Sequence, residues 1–239
     1  MNFINQSFTS FSKTPNKGVT FAIVLISLLS FLPNCSQKPK SDDSSAALLL
    51  LLQGGASGSN INCTAVPANA VNTTGTYTST VNASSSCAWV YISLKSGGVM
   101  VESTAQWDIA LKRYNVATNS GTSGTGSGGA CDSGSTNYGA VNSDPGCTKV
   151  VDVKLSSSGG GPVTASTESI NPVLAAPLDL SPMPSGYGSW YTYNNTILTA
   201  KTNVYIITGS DGAKYAIQML DYYSTAGTSG YPKFQWKKL

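Results

Sequence analysis

Histidine is absent from all 239 residues. The chain therefore lacks the side chain most used for acid-base chemistry near neutral pH, and no imidazole is available to activate a serine or cysteine nucleophile or to complete a zinc set. Charge is scarce too: 14 Lys and Arg against 11 Asp and Glu give a formal +3. Part of that excess sits in Lys13 and Lys17 near the start and in Lys237-Lys238 at the end, and no basic face interleaved with aromatics accompanies it. Nucleic-acid binding is excluded on that ground. The carboxylates are scattered, with no acid and base pair in view. The Gly-rich run Gly121–Gly129 lacks the Gly-Lys-Ser/Thr ending of a phosphate cradle. An enzyme is not expected. Few windows show a helical period, so long helices are not expected either.

What is present begins with targeting information. Lys13 and Lys17 precede an apolar run from Val19 to Leu32, shorter than the roughly 18 apolar residues that a spanning helix needs. It ends at Leu32-Pro33-Asn34-Cys35, which resembles a bacterial lipobox with Asn34 where a small Gly or Ala is usual. The reading is a signal peptide over 1–34, with Cys35 diacylated as the mature N-terminus. Residues 35–62 then form a lipidated tether, polar at first and carrying the short run Leu48–Leu52. A folded β-rich domain is expected over 63–239.

With Cys35 given to lipid, Cys63, Cys87, Cys131 and Cys147 remain, an even set in an exported chain. Three pairings are open. Cys63 with Cys87 and Cys131 with Cys147 are favoured because each closes one modest loop, and each would contribute roughly 2–4 kcal/mol by restricting the unfolded chain. Asp132 and Asp144, which flank the second pair, are expected to cap turns.

Alternation of apolar and polar residues marks the strands. Val90, Ile92 and Leu94 fall on one side and Trp89, Tyr91 and Ser93 on the other, followed by a turn at Lys95-Ser96-Gly97-Gly98 into Val99–Val101. One strand is expected over Gln106–Val116, with Trp107, Ile109 and Leu111 facing the core and Asp108, Ala110 and Lys112 facing away. Further strands are expected at Thr148–Leu155, Trp190–Tyr193, Asn203–Thr208, Lys214–Tyr223 and Tyr231–Lys238, with Asp211-Gly212 as a hairpin signal. Ser156–Ser189, rich in Gly, Pro and Ser, reads as a long irregular excursion. The fold class is all-β, mostly antiparallel, one domain with long loops.

Trp89-Val90-Tyr91, then Trp107-Asp108-Ile109-Ala110, Arg113-Tyr114-Asn115 and the loop Ser120-Gly121-Thr122-Ser123-Gly124-Thr125-Gly126 resemble the HmuY-like family of haem-binding surface lipoproteins. Tyr205-Ile206-Ile207, Asp211-Gly212 and Gln218–Tyr223 continue the resemblance in order. It marks Trp107, Asp108, Arg113, Gly121, Gly124 and Gly128 as motif residues. It implies an all-β fold, a lipid anchor at the bacterial outer membrane or cell surface, and haem or a related tetrapyrrole captured without catalysis and handed to an outer-membrane transporter.

The best-known member resembles a clasp of haem iron between two histidines, and that ligation cannot transfer here. The loop after the Trp190 strand reads Tyr193-Asn194-Asn195-Thr196. Candidate haem contacts are therefore Met183, Tyr193, Asn195 and Met219, since a thioether or phenolate can bind iron, with Met219 also fitting the core. The aromatics Tyr187, Tyr191, Tyr222 and Tyr223 suit a porphyrin face or a sheet face equally. Asp108 and Arg113 are expected to pair and to fix the glycine loop, with a propionate contact as Arg113's functional alternative, and Lys112 is expected to be solvated. The competing function is a surface adhesion or host-interaction lipoprotein that has lost haem ligation.

Overall fold

The structure, a computed structural model, describes residues 63–75, 77–154, 169–176 and 185–239. Cys35, the leader, the leucine run and Met183 lie outside these residues. Among the described residues there are fourteen strands: β1 (Val71–Thr74), β2 (Thr78–Val81), β3 (Val90–Ser93), β4 (Val99–Val101), β5 (Ile109–Lys112), β6 (Asn115–Thr118), β7 (Gly129–Asp132), β8 (Val153–Lys154), β9 (Ser169–Ile170), β10 (Tyr191–Asn194), β11 (Ile197–Ala200), β12 (Val204–Thr208), β13 (Lys214–Tyr223) and β14 (Ser229–Lys238). One short α-helix, α1 (Pro172–Ala175), and a 3-10 turn at Tyr138–Ala140 interrupt them. The fold is all-β and mostly antiparallel.

The strands form a six-stranded sheet in the order β1-β2-β14-β13-β12-β7, a four-stranded sheet in the order β4-β3-β5-β6, and the two ribbons β10-β11 and β8-β9. Alternation decides what lies between the sheets. Val90, Ile92, Ile109, Leu111 and Val116 share one core with Tyr205, Ile207, Tyr215, Ile217, Met219, Phe234 and Trp236. β12 is buried along its whole length. Its other face, Val204 and Ile206, packs under Cys131 and Val141, so the segment clipped by the Cys131–Cys147 disulfide covers the sheet there. Cys63 bonds to Cys87. Asp132 and Asp144 each accept a backbone N–H two residues on, from Gly134 and Gly146, as turn-capping aspartates do.

Three expectations need correction. The single strand over Gln106–Val116 is two: β5 and β6 form a hairpin with Lys112 opposite Asn115. Its two-residue turn holds Arg113 at φ +53°, where glycine is the usual residue. Arg113 is held there because its backbone N–H donates to Ala83 O (2.7 Å) and its guanidinium to Ser84 O (3.1 Å) and Ser229 Oγ (3.2 Å). Trp107 does not share a face with Ile109 and Leu111; it packs with Ala110 and Ala117 on the opposite face, because the extended parity starts only at Ile109. The excursion after Ser156 is not wholly irregular. Asn171 caps α1 by accepting the N–H of Val173 (3.1 Å), with Pro172 in the first turn, and α1 buries Val173 and Leu174 in the core.

Candidate functional site

Two places carry exposed or unpartnered chemistry, one on a ribbon anchored to β13 of the six-stranded sheet and one on the four-stranded sheet. The first is the β10–β11 ribbon. Tyr191 pairs with Ala200 and Tyr193 with Leu198, so the inward row begins buried at Tyr191 and Leu198 and runs out past the core at Tyr193, 59% exposed. Ile197, opposite Asn194, is exposed on the ribbon's other face. The turn, Asn195 at φ +46° and Thr196 at φ +67°, puts a β-branched residue where sterics disfavour one.

A bulge anchors the ribbon. Between Met219 and Tyr223 the register of β13 against β14 shifts, and Asp221 Oδ1 accepts the N–H groups of Tyr222 (2.7 Å) and Tyr223 (3.2 Å). This turns Tyr222 inward and lets the Tyr223 hydroxyl accept the N–H of Leu198 at 2.9 Å. Trp190 donates its indole N–H to Tyr114 O (2.8 Å). The rings of Tyr114, Tyr191, Trp190, Tyr222 and Tyr223 then follow one another at centroid separations of 5.2–6.4 Å, the distances of tilted aromatic pairs. Burial raises the Tyr222 phenol, with Arg113 pulling it back.

The second place is a cleft of about 200 Å³ on the opposite face of the four-stranded sheet, lined by Trp89, Tyr91, Trp107, Ala110, Ala117, Thr122, Ser123 and Ser169. Its floor is the cross-strand row Tyr91, Ala110, Ala117, where two methyl groups leave a trough between larger rings. Its rim is the glycine loop. That loop is pinned. Asp152, buried, accepts from Thr118 N (2.8 Å), Thr118 Oγ1, Ser120 Oγ (3.3 Å), Ser123 Oγ (2.6 Å) and Asn171 Nδ2 (2.9 Å). Burial still lifts its carboxyl above the ordinary value, against the pull of those donors. Asn119 donates to Trp107 O (3.1 Å) and accepts from Gly126 N (2.9 Å).

The glycines are the consequence of these approaches. At Gly121, φ is +53° and a Cβ would collide with the Asp152 carbonyl; at Gly128 it would lie 2.7 Å from Asn119 O; at Gly124 it would meet the Asn119 side chain and the Trp107 ring edge.

The predicted residues sort out as follows. Tyr193 and Asn195 sit on the ribbon. Met219, 2% exposed, is enclosed in the core, so it is not brought to that surface. Asp108 and Arg113 do not pair. Asp108 accepts from Leu94 N (2.8 Å), Lys95 N (3.2 Å) and Ser210 N (2.9 Å), tying two hairpin turns together, and the glycine loop is fixed by Asp152 and Asn119 instead. Lys112 is not solvated; it is buried with its ammonium 5.1 Å from the Trp89 ring centre. Asp152 and Asn119 were missed because a lone Asp or Asn beside apolar residues carries no periodic signal.

The HmuY protein family model matches residues 85–236, more than half of the chain. The chain belongs to the HmuY family. No curated protein matches it. Among solved structures, the apo HmuY analog of Tannerella forsythia is 17% identical with a TM-score of 0.50, over 70% of this chain and 97% of that one. A Bacteroides vulgatus protein described as HmuY-like and haem-binding is 21% identical (TM-score 0.44; 67% and 91% covered). A Bacteroides fragilis protein described as a lipoprotein is 22% identical (TM-score 0.46; 70% and 91% covered). The HmuY match spans both places described above, from Trp89 to Trp236.

Proposed function

We propose that this HmuY-family chain is a lipid-anchored surface protein that captures a tetrapyrrole, haem being the form to test, without converting it, and passes it to an outer-membrane transporter. The Leu32–Cys35 motif supports the anchor, and family membership supports the ligand class. The observation that carries the site is Tyr193: a phenol exposed at the end of an otherwise core-facing row that continues into Tyr191 and its ring partner Tyr114.

A two-histidine clasp does not fit this chain, and Met219 is enclosed. Among the described residues, Tyr193 would hold the iron, its phenolate oxygen being a donor that tyrosine provides in some haem proteins. Asn195 is a poor iron donor and shapes the turn. Apolar contact with the neighbouring tyrosine rings of the same row would supply the rest of the grip.

Titrating the full chain in detergent with haemin and following the Soret band tests the reading. A saturable, shifted band at one equivalent is expected. An unshifted band without saturation would favour the second reading, an adhesion or host-interaction lipoprotein on the same fold, for which the missing histidines and the enclosed Met219 speak.

A further inference from the structure

The cleft beneath the glycine loop shares no residue with the β10–β11 ribbon, and the tetrapyrrole reading leaves it unused. At about 200 Å³ it is smaller than the roughly 300–1,000 Å³ of sites for drug-sized ligands. It has room for one six-membered ring. Two of its rings, Tyr91 and Trp107, meet edge to face at 5.0 Å and 63°, so it offers a platform and not a parallel-walled slot.

Its polar groups are the second observation. Of the four indoles, Trp190 and Trp236 donate to Tyr114 O and Ser79 Oγ, whereas the N–H groups of Trp89 and Trp107 and the hydroxyl of Tyr91 meet no partner among the described residues. Trp107 is 4% exposed, and buried donors are rarely left unmade. Around the rim stand Thr122 and Ser123, the Ser123 hydroxyl donating to Asp152 (2.6 Å) and Ser169 donating to Thr122 O (3.1 Å).

We propose that this cleft binds a single pyranose ring of a glycan. A sugar ring has one face of C–H groups, slightly positive, which suits the negative face of Tyr91 and the face of Trp89 not taken by the Lys112 ammonium, 5.1 Å from that ring's centre. Its edge carries hydroxyl groups, whose oxygens accept from unpartnered indole and phenol donors and which exchange hydrogen bonds with the Thr122 hydroxyl; Ser123, its proton given to Asp152, can only accept. A flat aromatic ligand would satisfy the platform and leave those donors unmade; a tetrapyrrole exceeds the space. The glycine loop then has a function beyond packing, since only a Cβ-free backbone can bring the hydroxyl rim down against Trp107 and Asn119.

Tryptophan fluorescence of the full chain, titrated separately with methyl α-glucoside, methyl β-galactoside and N-acetylglucosamine, reads the site directly. At least one sugar is expected to give a saturable change in the millimolar range. Trp89→Ala should weaken it about tenfold or more through loss of the stacking face, and Tyr91→Phe by a smaller factor of about three to ten through loss of one hydrogen bond. Ala117→Leu, which fills the trough and removes no ring, should abolish it while circular dichroism stays native. Haemin should not compete, so this result stands or falls apart from the tetrapyrrole reading. No saturation with any of the three sugars, saturation only by a flat aromatic such as indole, or equal binding by wild type and Ala117→Leu would overturn the proposal.

Discussion

At the scale of single residues, the chain is governed by a few buried polar side chains that each gather several backbone groups. Asp152 is the clearest. Its carboxylate joins β6, the glycine loop and the cap of α1, and removing it strands several buried donors at once. Asp152→Ala should destabilise the fold by about 3 kcal/mol, read as a lower urea midpoint; a loss within about 0.5 kcal/mol would show that water replaces it freely. Thr196 carries the opposite prediction. Its φ of +67° costs about 1–2 kcal/mol for a residue with a Cβ, so Thr196→Gly, which creates an Asn-Gly turn, should raise stability by about 1 kcal/mol in the same assay. An unchanged or lower midpoint would mean that the turn is not strained.

At the scale of elements, regular alternation made the β3–β4 hairpin, β12, β13 and β14 legible in the sequence, because each packs one or both faces against a continuous core. Short polar strands were not legible. β1 and β2, Val71–Thr74 and Thr78–Val81, read Val-Asn-Thr-Thr and Thr-Ser-Thr-Val and declare themselves only by pairing with each other and with β14. β11 went unseen because its anchor, the Tyr223 hydroxyl, arrives from 25 residues away. The candidate site was legible in part: Tyr193 and Asn195 fall in a stretch that the family resemblance marks, whereas the cleft depends on Ala110 and Ala117 falling opposite each other across a turn whose Arg113 carries no glycine-like signal. The Cys131–Cys147 bridge closes a span of 16 residues with few apolar contacts of its own. Replacing both cysteines by serine should cost about 3 kcal/mol and expose residues 133–146 to proteases; equal protease resistance with and without the bridge would contradict this.

For the whole molecule, the absence of histidine sets the response to pH. With the four domain cysteines bonded in pairs, the domain has little to titrate between pH 7 and 9, and thermal stability should be flat there. The tyrosines act above that window. Burial pushes the phenols of Tyr138 and Tyr215 up to about 12, Asp108 and Asp211 adding to the shift at Tyr215, and Tyr205 rises further still, through burial and then the charge of Asp132. A phenol raised in the fold favours the neutral form there. Its contribution is complete below the free value near 10 and is lost as pH rises from about 10 through 12. Melting followed by circular dichroism should therefore hold steady to pH 9 and fall steeply above 10. A midpoint that moves by several degrees between pH 7 and 9 would point to a neutral-range titration absent from this account.

The central claim is that an HmuY fold without histidine still presents an iron donor, and that the donor is the phenol of Tyr193 on the β10–β11 ribbon. Absorption spectra of the ferric haem complex, compared between the wild-type chain, Tyr193→Phe and Met219→Leu, test it most directly. The account predicts a phenolate-to-iron charge-transfer band that disappears in Tyr193→Phe and persists in Met219→Leu. The same band in Tyr193→Phe, or its loss in Met219→Leu alone, would contradict it.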